Sequence, residues 1–223
     1  MRKLLIYIII ILATFNYVNA QEKSDPYLTV GTGLLTYKGD MGTYDKSGMG
    51  FNIGLRLTKK KLLNGSFNLG FGSISDDDPN TPKAQQFNDL IPNSYFKSSI
   101  AYLNYALNIN IIKNEKWWVY LSQGIGFVRF SPKNENGEKL VDLDNTREAG
   151  EEYRTSAFML PTSLGFVYHL SDDWGIGMNT ALLNTQSDYL DNISKLGSSG
   201  NDNVLSVLFT LNKRIHLSSN KTE

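Results

Sequence analysis

Few side chains in this sequence are equipped for chemistry. It has two histidines, His169 and His216, and no cysteine. Without a thiol there is no thiolate nucleophile, no disulfide and no cysteine-ligated metal site. A lipid-modifying hydrolase would instead need a serine activated by a histidine, close to the membrane surface where its substrate lies. The positions of the two histidines therefore decide whether that reaction is feasible.

An acidic run is the other candidate for chemistry. Asp76, Asp77 and Asp78 precede Pro79 and Asn80, and hard divalent cations prefer clustered oxygen ligands. The run lacks the ligand spacing of an EF-hand loop, so it is more typical of a solvated loop than of a metal site. We expect no cofactor and no metal.

The first twenty residues have the composition of a secretion signal. Arg2 and Lys3 are basic, residues 4–13 are apolar, and residues 18–20 form a small-residue cleavage motif. The apolar run is shorter than the ~20 residues of a membrane-spanning helix. We predict a signal peptide over residues 1–20, which leaves a mature chain of net charge −2. That balance argues against nucleic acid as a partner.

Beyond the leader, apolar and polar residues alternate with the period of two that is typical of β-strands. The clearest stretch sets Leu103, Tyr105 and Leu107 against Asn104 and Asn108. Eight stretches show the pattern, over residues 28–34, 51–58, 67–72, 102–111, 117–127, 158–170, 174–182 and 205–212. In each, large apolar side chains share one face and small or polar ones share the other.

The polar face distinguishes two kinds of barrel. A soluble lipocalin-type barrel would expose this face to water, but Arg56 is nearly its only charged member. An uncharged polar face suits the interior of a narrow membrane barrel. We therefore predict an all-β fold, an eight-stranded antiparallel transmembrane β-barrel of the OmpX, OmpW and OmpA type. It would cover residues 21–215, with a polar tail over residues 216–223.

The connections alternate between short and long. Short turns are predicted at residues 59–64, 113–116 and 171–173, and long loops at residues 36–46, 76–95, 131–156 and 187–202. Outer-membrane barrels place short turns in the periplasm and long loops outside the cell. The pattern therefore predicts an outer-membrane location with both termini in the periplasm.

The short-turn side carries two distinctive sets of residues. The first is aromatic and predicts a girdle at the lipid headgroups: Trp117, Trp118, Tyr168 and Trp174. The second is basic and could contact an acidic periplasmic partner or anionic headgroups: Lys59, Lys60, Lys61, Lys113, Lys116, Lys213 and Arg214. Both histidines fall on this side too, far from the outer leaflet, so we predict no enzymatic activity.

Several segments resemble a known family over essentially the whole mature chain. They are YKGD (37–40), SISDDD (73–78), FKSSI (96–100), SAFMLPTSLGFVYHLSDDWGIG (156–177) and SDYLDNIS (187–194). They look like the small outer-membrane β-barrels of Bacteroidetes, a family that includes the type IX secretion-associated protein PorG. One departure is the C-terminal tail IHLSSNKTE, since many such barrels end on an aromatic residue.

The resemblance implies an accessory role, in which the barrel anchors periplasmic ring proteins of the type IX secretion machinery to the outer membrane. Its other partners would be outer-membrane lipid and lipopolysaccharide. Two alternatives stay open: an OmpW-like barrel that binds or passes a small hydrophobic ligand, and a structural surface barrel acting through its long loops. The asparagine-rich interior argues against a hydrophobic conduit.

Overall fold

The computed structural model describes residues 25–58, 62–77, 92–143, 146–147, 150–193 and 200–216. The predicted leader lies outside these residues. Within them, antiparallel strands pair in sequence order and β1 closes on β8 to form a barrel. The strands are β1 (Tyr27–Lys38), β2 (Thr43–Arg56), β3 (Leu63–Asp77), β4 (Tyr95–Lys113), β5 (Trp117–Lys133), β6 (Ser156–His169), β7 (Trp174–Thr185) and β8 (Asn203–Arg214). The predicted eight-stranded barrel is confirmed. None of the described helical segments is long and apolar enough to cross a membrane.

The two faces of the strands follow the predicted alternation. In β4, Leu103 and Ile109 are 56% and 51% exposed, whereas Asn104, Asn108 and Asn110 are buried. The outward residues of neighbouring strands form an apolar band around the barrel, which includes Val30, Phe51, Phe67, Leu107, Phe127, Leu160, Ile176 and Phe209. Such a band is the surface that a barrel turns to lipid.

The strands extend beyond this band. β4 has 19 residues and, at about 3.3 Å per residue, is far longer than the band of about 25 Å that membrane barrels expose. The predicted long loop over residues 36–46 is wrong for the same reason. β1 and β2 stay paired as far as Lys38 and Thr43, and a turn of residues 39–42 joins them.

The β5–β6 ladder is interrupted at Pro161, which has no N–H to donate. Gln123 pairs with Thr162 and Gly126 with Met159, but the residues between them are unpaired. The Gln123 side chain fills the gap, because its amide nitrogen lies 3.3 Å from the Gly124 carbonyl and 3.2 Å from that of Pro161. It faces outward within the apolar band, where water cannot supply the missing donors.

Three layers fill the barrel interior. At the loop end an apolar cluster, the mouth plug, combines strand residues such as Leu35 and Phe96 with Leu190 of the β7–β8 loop. A polar layer of asparagine, serine and threonine lies below it. At the short-turn end, Trp118 and Tyr120 pack with Tyr27 and Val167 in an aromatic floor.

Candidate functional sites at the two rims

The mouth of the barrel is closed by its own loops. Leu190 and Ile193, from the β7–β8 loop, and Leu140, from a 3₁₀ turn in the β5–β6 loop, pack onto the inward residues of the strands. Leu140 and Leu190 are at most 1% exposed, because the strands continue above the apolar band and give these side chains a wall to pack against. Within the described residues the mouth is therefore a packed core and not an opening.

Tyr37 joins two of the carboxyl groups that are buried in this closure. The Tyr37 hydroxyl oxygen lies 2.7 Å from Asp191 Oδ2 and 2.8 Å from Asp202 Oδ1. One hydroxyl has one proton, so Tyr37 donates to one carboxylate and accepts from the other only if that group is protonated. Both aspartates are fully buried. The geometry therefore suits a pair of aspartates that shares a proton through Tyr37.

The environment of the pair favours the protonated form. Burial is the main cause that raises the pKa of Asp191 to about 7, and the nearby carboxylates of Asp40 and Asp188 add to it. The pKa of Asp202 is also raised, by burial and then by the charge of Asp191. Hydrogen bonds act in the opposite direction, since the Ile193 N–H donates to Asp191 and the Leu190 N–H donates to Asp202. Burial has the larger effect on the pKa, because removing a carboxylate from water costs more free energy than these hydrogen bonds recover.

A second polar cluster ties three loops together. Arg147 Nη1 donates to Asn192 Oδ1 at 2.6 Å and to the Leu140 carbonyl at 3.0 Å. Asn192 Nδ2 donates to Asn93 Oδ1 at 3.2 Å and to Thr146 Oγ1 at 3.0 Å. Asn192 has a φ of 76°, in the left-handed region that asparagine tolerates better than most residues. The β3–β4, β5–β6 and β7–β8 loops are thus joined at one buried side chain.

The predicted basic residues of the short-turn rim are only partly described. Lys113 ends β4, Lys116 lies in the β4–β5 turn, and Lys213 and Arg214 end β8. The remaining three lie outside the described residues: Lys59, Lys60 and Lys61.

Three of the described basic residues lie against aromatic rings. Lys213 Nζ is 4.9 Å from the centroid of Trp174, and Lys113 Nζ is 5.1 Å from that of Trp118. Arg214 is similarly placed over Tyr27. Such cation–π contacts hold the charges at the barrel end without neutralising them.

The same rim also carries acidic residues, and His216 joins two of them. Its Nδ1 lies 2.8 Å from Asp25 Oδ2 and its Nε2 lies 2.8 Å from Asp173 Oδ1. Hydrogen bonds to Asp173 and Asp25 raise the pKa of His216. The start of the polar tail is thus attached to the β6–β7 turn and to the residue preceding Pro26. With Glu115 also present, the described part of the rim is mixed in charge, and the predicted basic excess depends on Lys59, Lys60 and Lys61, which lie outside the described residues.

The predicted aromatic girdle needs one correction. Trp117 and Trp174 face outward, and the Trp117 ring lies 4.6 Å from that of Tyr168. Trp118 instead points into the barrel, is 2% exposed, and donates from Nε1 to Asn110 Oδ1 at 2.6 Å. Adjacent residues of a strand face opposite sides, so Trp117 and Trp118 cannot both contact lipid. A girdle role for the other three stays a prediction.

Sequence reasoning missed the residues that close the mouth. Tyr37 and Asp191 lie in the YKGD and SDYLDNIS segments, which stood out as motifs but gave no sign of contact. They are 154 positions apart, and only barrel closure between β1 and β8 brings them together. Asn192 lies in the same SDYLDNIS segment, whereas Arg147 gave no pattern at all.

The chain is similar to known barrels in sequence and in structure. Residues 8–209 match the family described as outer membrane protein beta-barrel domain. Ail, the attachment invasion locus protein of Yersinia pestis, aligns at 12% identity with a TM-score of 0.52, over 87% of this chain and 100% of that chain. Neisserial surface protein A aligns at 9% identity with a TM-score of 0.55, over 87% and 100% of the two chains. Such low identities show the fold alone, and no curated protein matches the chain.

Proposed function

Because the chain belongs to the outer membrane protein beta-barrel domain family, we propose that it is a non-enzymatic barrel that anchors periplasmic ring proteins of the type IX secretion machinery to the outer membrane. The apolar band would contact outer-membrane lipid and lipopolysaccharide, and the short-turn rim would contact the ring. The specific assignment to type IX secretion rests on the resemblance of the YKGD and SDYLDNIS segments to small Bacteroidetes barrels.

The closed interior is the observation that carries this proposal. Leu190 and Phe96 of the mouth plug are 0% exposed, and Trp118 of the aromatic floor is 2% exposed. A conduit for a hydrophobic ligand needs a continuous apolar lumen, but asparagine and serine side chains separate the plug from the floor. A barrel closed in this way acts through its outer surfaces, which favours an anchoring role over transport.

The positions of the histidines support a non-enzymatic role. His169 is inside the short-turn end, with its ring 5.7 Å from that of Tyr27, and His216 is held by two aspartates. Neither is near the loop end, where an enzyme of the outer leaflet would meet lipopolysaccharide.

Exchange of charge at the rim tests the proposal. We expect that a variant with Lys59→Glu, Lys60→Glu and Lys61→Glu inserts normally but loses co-purification with ring proteins, because the basic excess of the rim is reversed. The matched control reverses three exposed lysines near the loop end: Lys97, Lys133 and Lys139. Ring proteins should still co-purify with that control.

Deletion of the gene separates the proposed function from its rivals. Loss of export of type IX substrates, restored by the native chain and the loop-end control, is the expected result. Normal export after deletion would refute the anchoring role. In that case altered permeability would favour transport, and altered surface binding would favour the structural surface barrel.

A further inference from the structure

A polar chamber lies between the mouth plug and the aromatic floor. Its volume is about 50 Å³, and its wall includes Arg56, Asn108, Tyr120, Ser122 and Ser206. A water molecule needs roughly 10–15 Å³ in such a measure, so the chamber has room for a few waters or one small ion. The described residues that line it include no aspartate or glutamate.

Arg56 places a positive charge in this chamber. The residue is 6% exposed, and its Nη2 donates to the Tyr120 hydroxyl. Its guanidinium carbon lies 3.7 Å from the centroid of the Tyr120 ring and 4.8 Å from that of Trp118. Nε and Nη1 have no partner within the described structure. The rings offer partial compensation for the charge, but two N–H-bearing nitrogens lack an acceptor.

Asn108 also lines the chamber and has a donor without a partner. Its Oδ1 is fixed by the Ser122 hydroxyl, which donates to it at 2.5 Å. Its Nδ2 is buried and has no partner, and the residue is 1% exposed. The Ser66 and Ser122 hydroxyls both lie at Oδ1, which leaves Nδ2 as the end without a partner. The chamber is thus lined by one cation and by donors without a partner.

We propose that this chamber binds one small oxyanion of the inorganic phosphate class through Arg56 and Asn108. An uncompensated charge in a low-dielectric interior is costly, and an anion with several acceptor oxygens would satisfy both the charge and the orphaned donors. The volume excludes nucleotides and acyl chains. The proposal does not depend on the secretion role, because it concerns the interior and not the rim.

The arrangement of charge indicates entry from the short-turn end. Lys113 lies over the same Trp118 ring as Arg56, and Arg214 lies over Tyr27 of the floor. These cations would attract an anion to the floor, where the Trp118 ring separates the chamber from solvent. At the loop end the mouth plug closes the other route.

Calorimetric titration with inorganic phosphate tests the site. The full mature chain would be folded in a neutral detergent and titrated at constant ionic strength with gluconate as the balancing anion. We expect saturable binding of about one phosphate per chain. Arg56→Gln should weaken it by about tenfold to hundredfold, the range for a charge-assisted hydrogen bond. The control Arg129→Gln removes an outward-facing arginine of β5 and should leave binding unchanged.

A second variant covers the case in which Arg56→Gln does not fold. Asn108→Asp places a carboxylate in the chamber that Arg56 lines and keeps the oxygen that accepts from Ser122. It should abolish phosphate binding and raise the temperature at which the barrel unfolds on a gel. The proposal is overturned if the native chain shows no saturable binding, if Arg56→Gln binds phosphate as tightly as the native chain, if Asn108→Asp still binds it, or if Asn108→Asp lowers that temperature.

Discussion

Closure of the mouth should depend on pH, and Asp191→Asn should reduce that dependence. In the closed loops Asp191 is buried beside Asp202, and the two share the Tyr37 hydroxyl. When the loops open, each carboxyl group returns to water. The closed state therefore holds a proton that the open state releases at neutral pH. Asparagine at position 191 has nearly the same shape but no charge to titrate.

The size and sign of the effect follow from the shift of the Asp191 pKa. Burial raises this pKa from 3.8 to about 7. Because the closed state binds the proton more tightly, closure is most favourable below pH 4, weakens as the pH rises to about 7, and then levels off. Each pKa unit is worth about 1.36 kcal/mol, so the shift corresponds to on the order of 4 kcal/mol, or about a thousandfold in the opening equilibrium. Asp202 shifts in the same direction and shares the same proton.

Hydrogen exchange of two loop amides provides a local assay. The Leu190 N–H donates to Asp202 and the Ile193 N–H donates to Asp191, so both are protected only while the loop is closed. Exchange would be followed from pH 4 to pH 8 and divided by the intrinsic rate at each pH. We expect the protection of both amides to fall across this range in the native chain.

Two variants make the result decisive. In Asp191→Asn we expect the fall in protection to be much reduced, whereas Asp142→Asn, which changes an exposed loop aspartate, should behave like the native chain. The reasoning is refuted if protection in the native chain rises with pH, or if Asp191→Asn retains the native slope.

Three further predictions concern the barrel itself. Gly33→Ala should prevent assembly, because the added Cβ would lie 2.1 Å from the Val207 carbonyl oxygen; loss of heat-modifiable gel mobility would report this. The control Gly31→Ala changes a glycine on the same face. It should assemble, because the nearest atom to its added Cβ is 3.2 Å away. Gln123→Ala should lower the free energy of unfolding by about 1–3 kcal/mol in a urea titration, since two carbonyls in the apolar band lose their donor. The C-terminal tail should detach as the pH rises through the raised pKa of His216. Protonated His216 holds the tail to the two aspartates, and this stabilisation is complete only below the ordinary histidine pKa of 6.5. The NMR signals of His216 would report the change.

Each of these has a clear contrary result. Equal assembly of the two glycine variants would show that the strands separate easily at Gly33. An unchanged urea midpoint in the Gln123 variant would mean that the ladder gap needs no donor. Detachment of the tail as the pH falls from about 8 to about 5, where the aspartates stay ionised, would contradict the assigned sign for His216.

Much of the barrel could be predicted because the alternation of residue types within a strand shows which side chains face lipid and which face the interior. The alternation of Leu103 and Leu107 with Asn104 and Asn108 assigned lipid and interior sides without any knowledge of neighbours, and the structure agrees. The same rule should have separated Trp117 from Trp118, but their place beside a short turn was given more weight than their parity. The long loop predicted from local sequence at residues 36–46 was also wrong, because polar residues there continue as paired strand beyond the apolar band.

The sequence alone determined the strand number, the face of most strand residues and the outer-membrane class, since these depend on patterns within about ten residues. Tertiary structure decided the rest. Tyr37 meets Asp191 and Asp202, and Arg56 meets Tyr120, only because the barrel closes and sets the register of its strands. A buried polar side chain takes its partner from across the barrel, and the identity of that partner is absent from the local pattern.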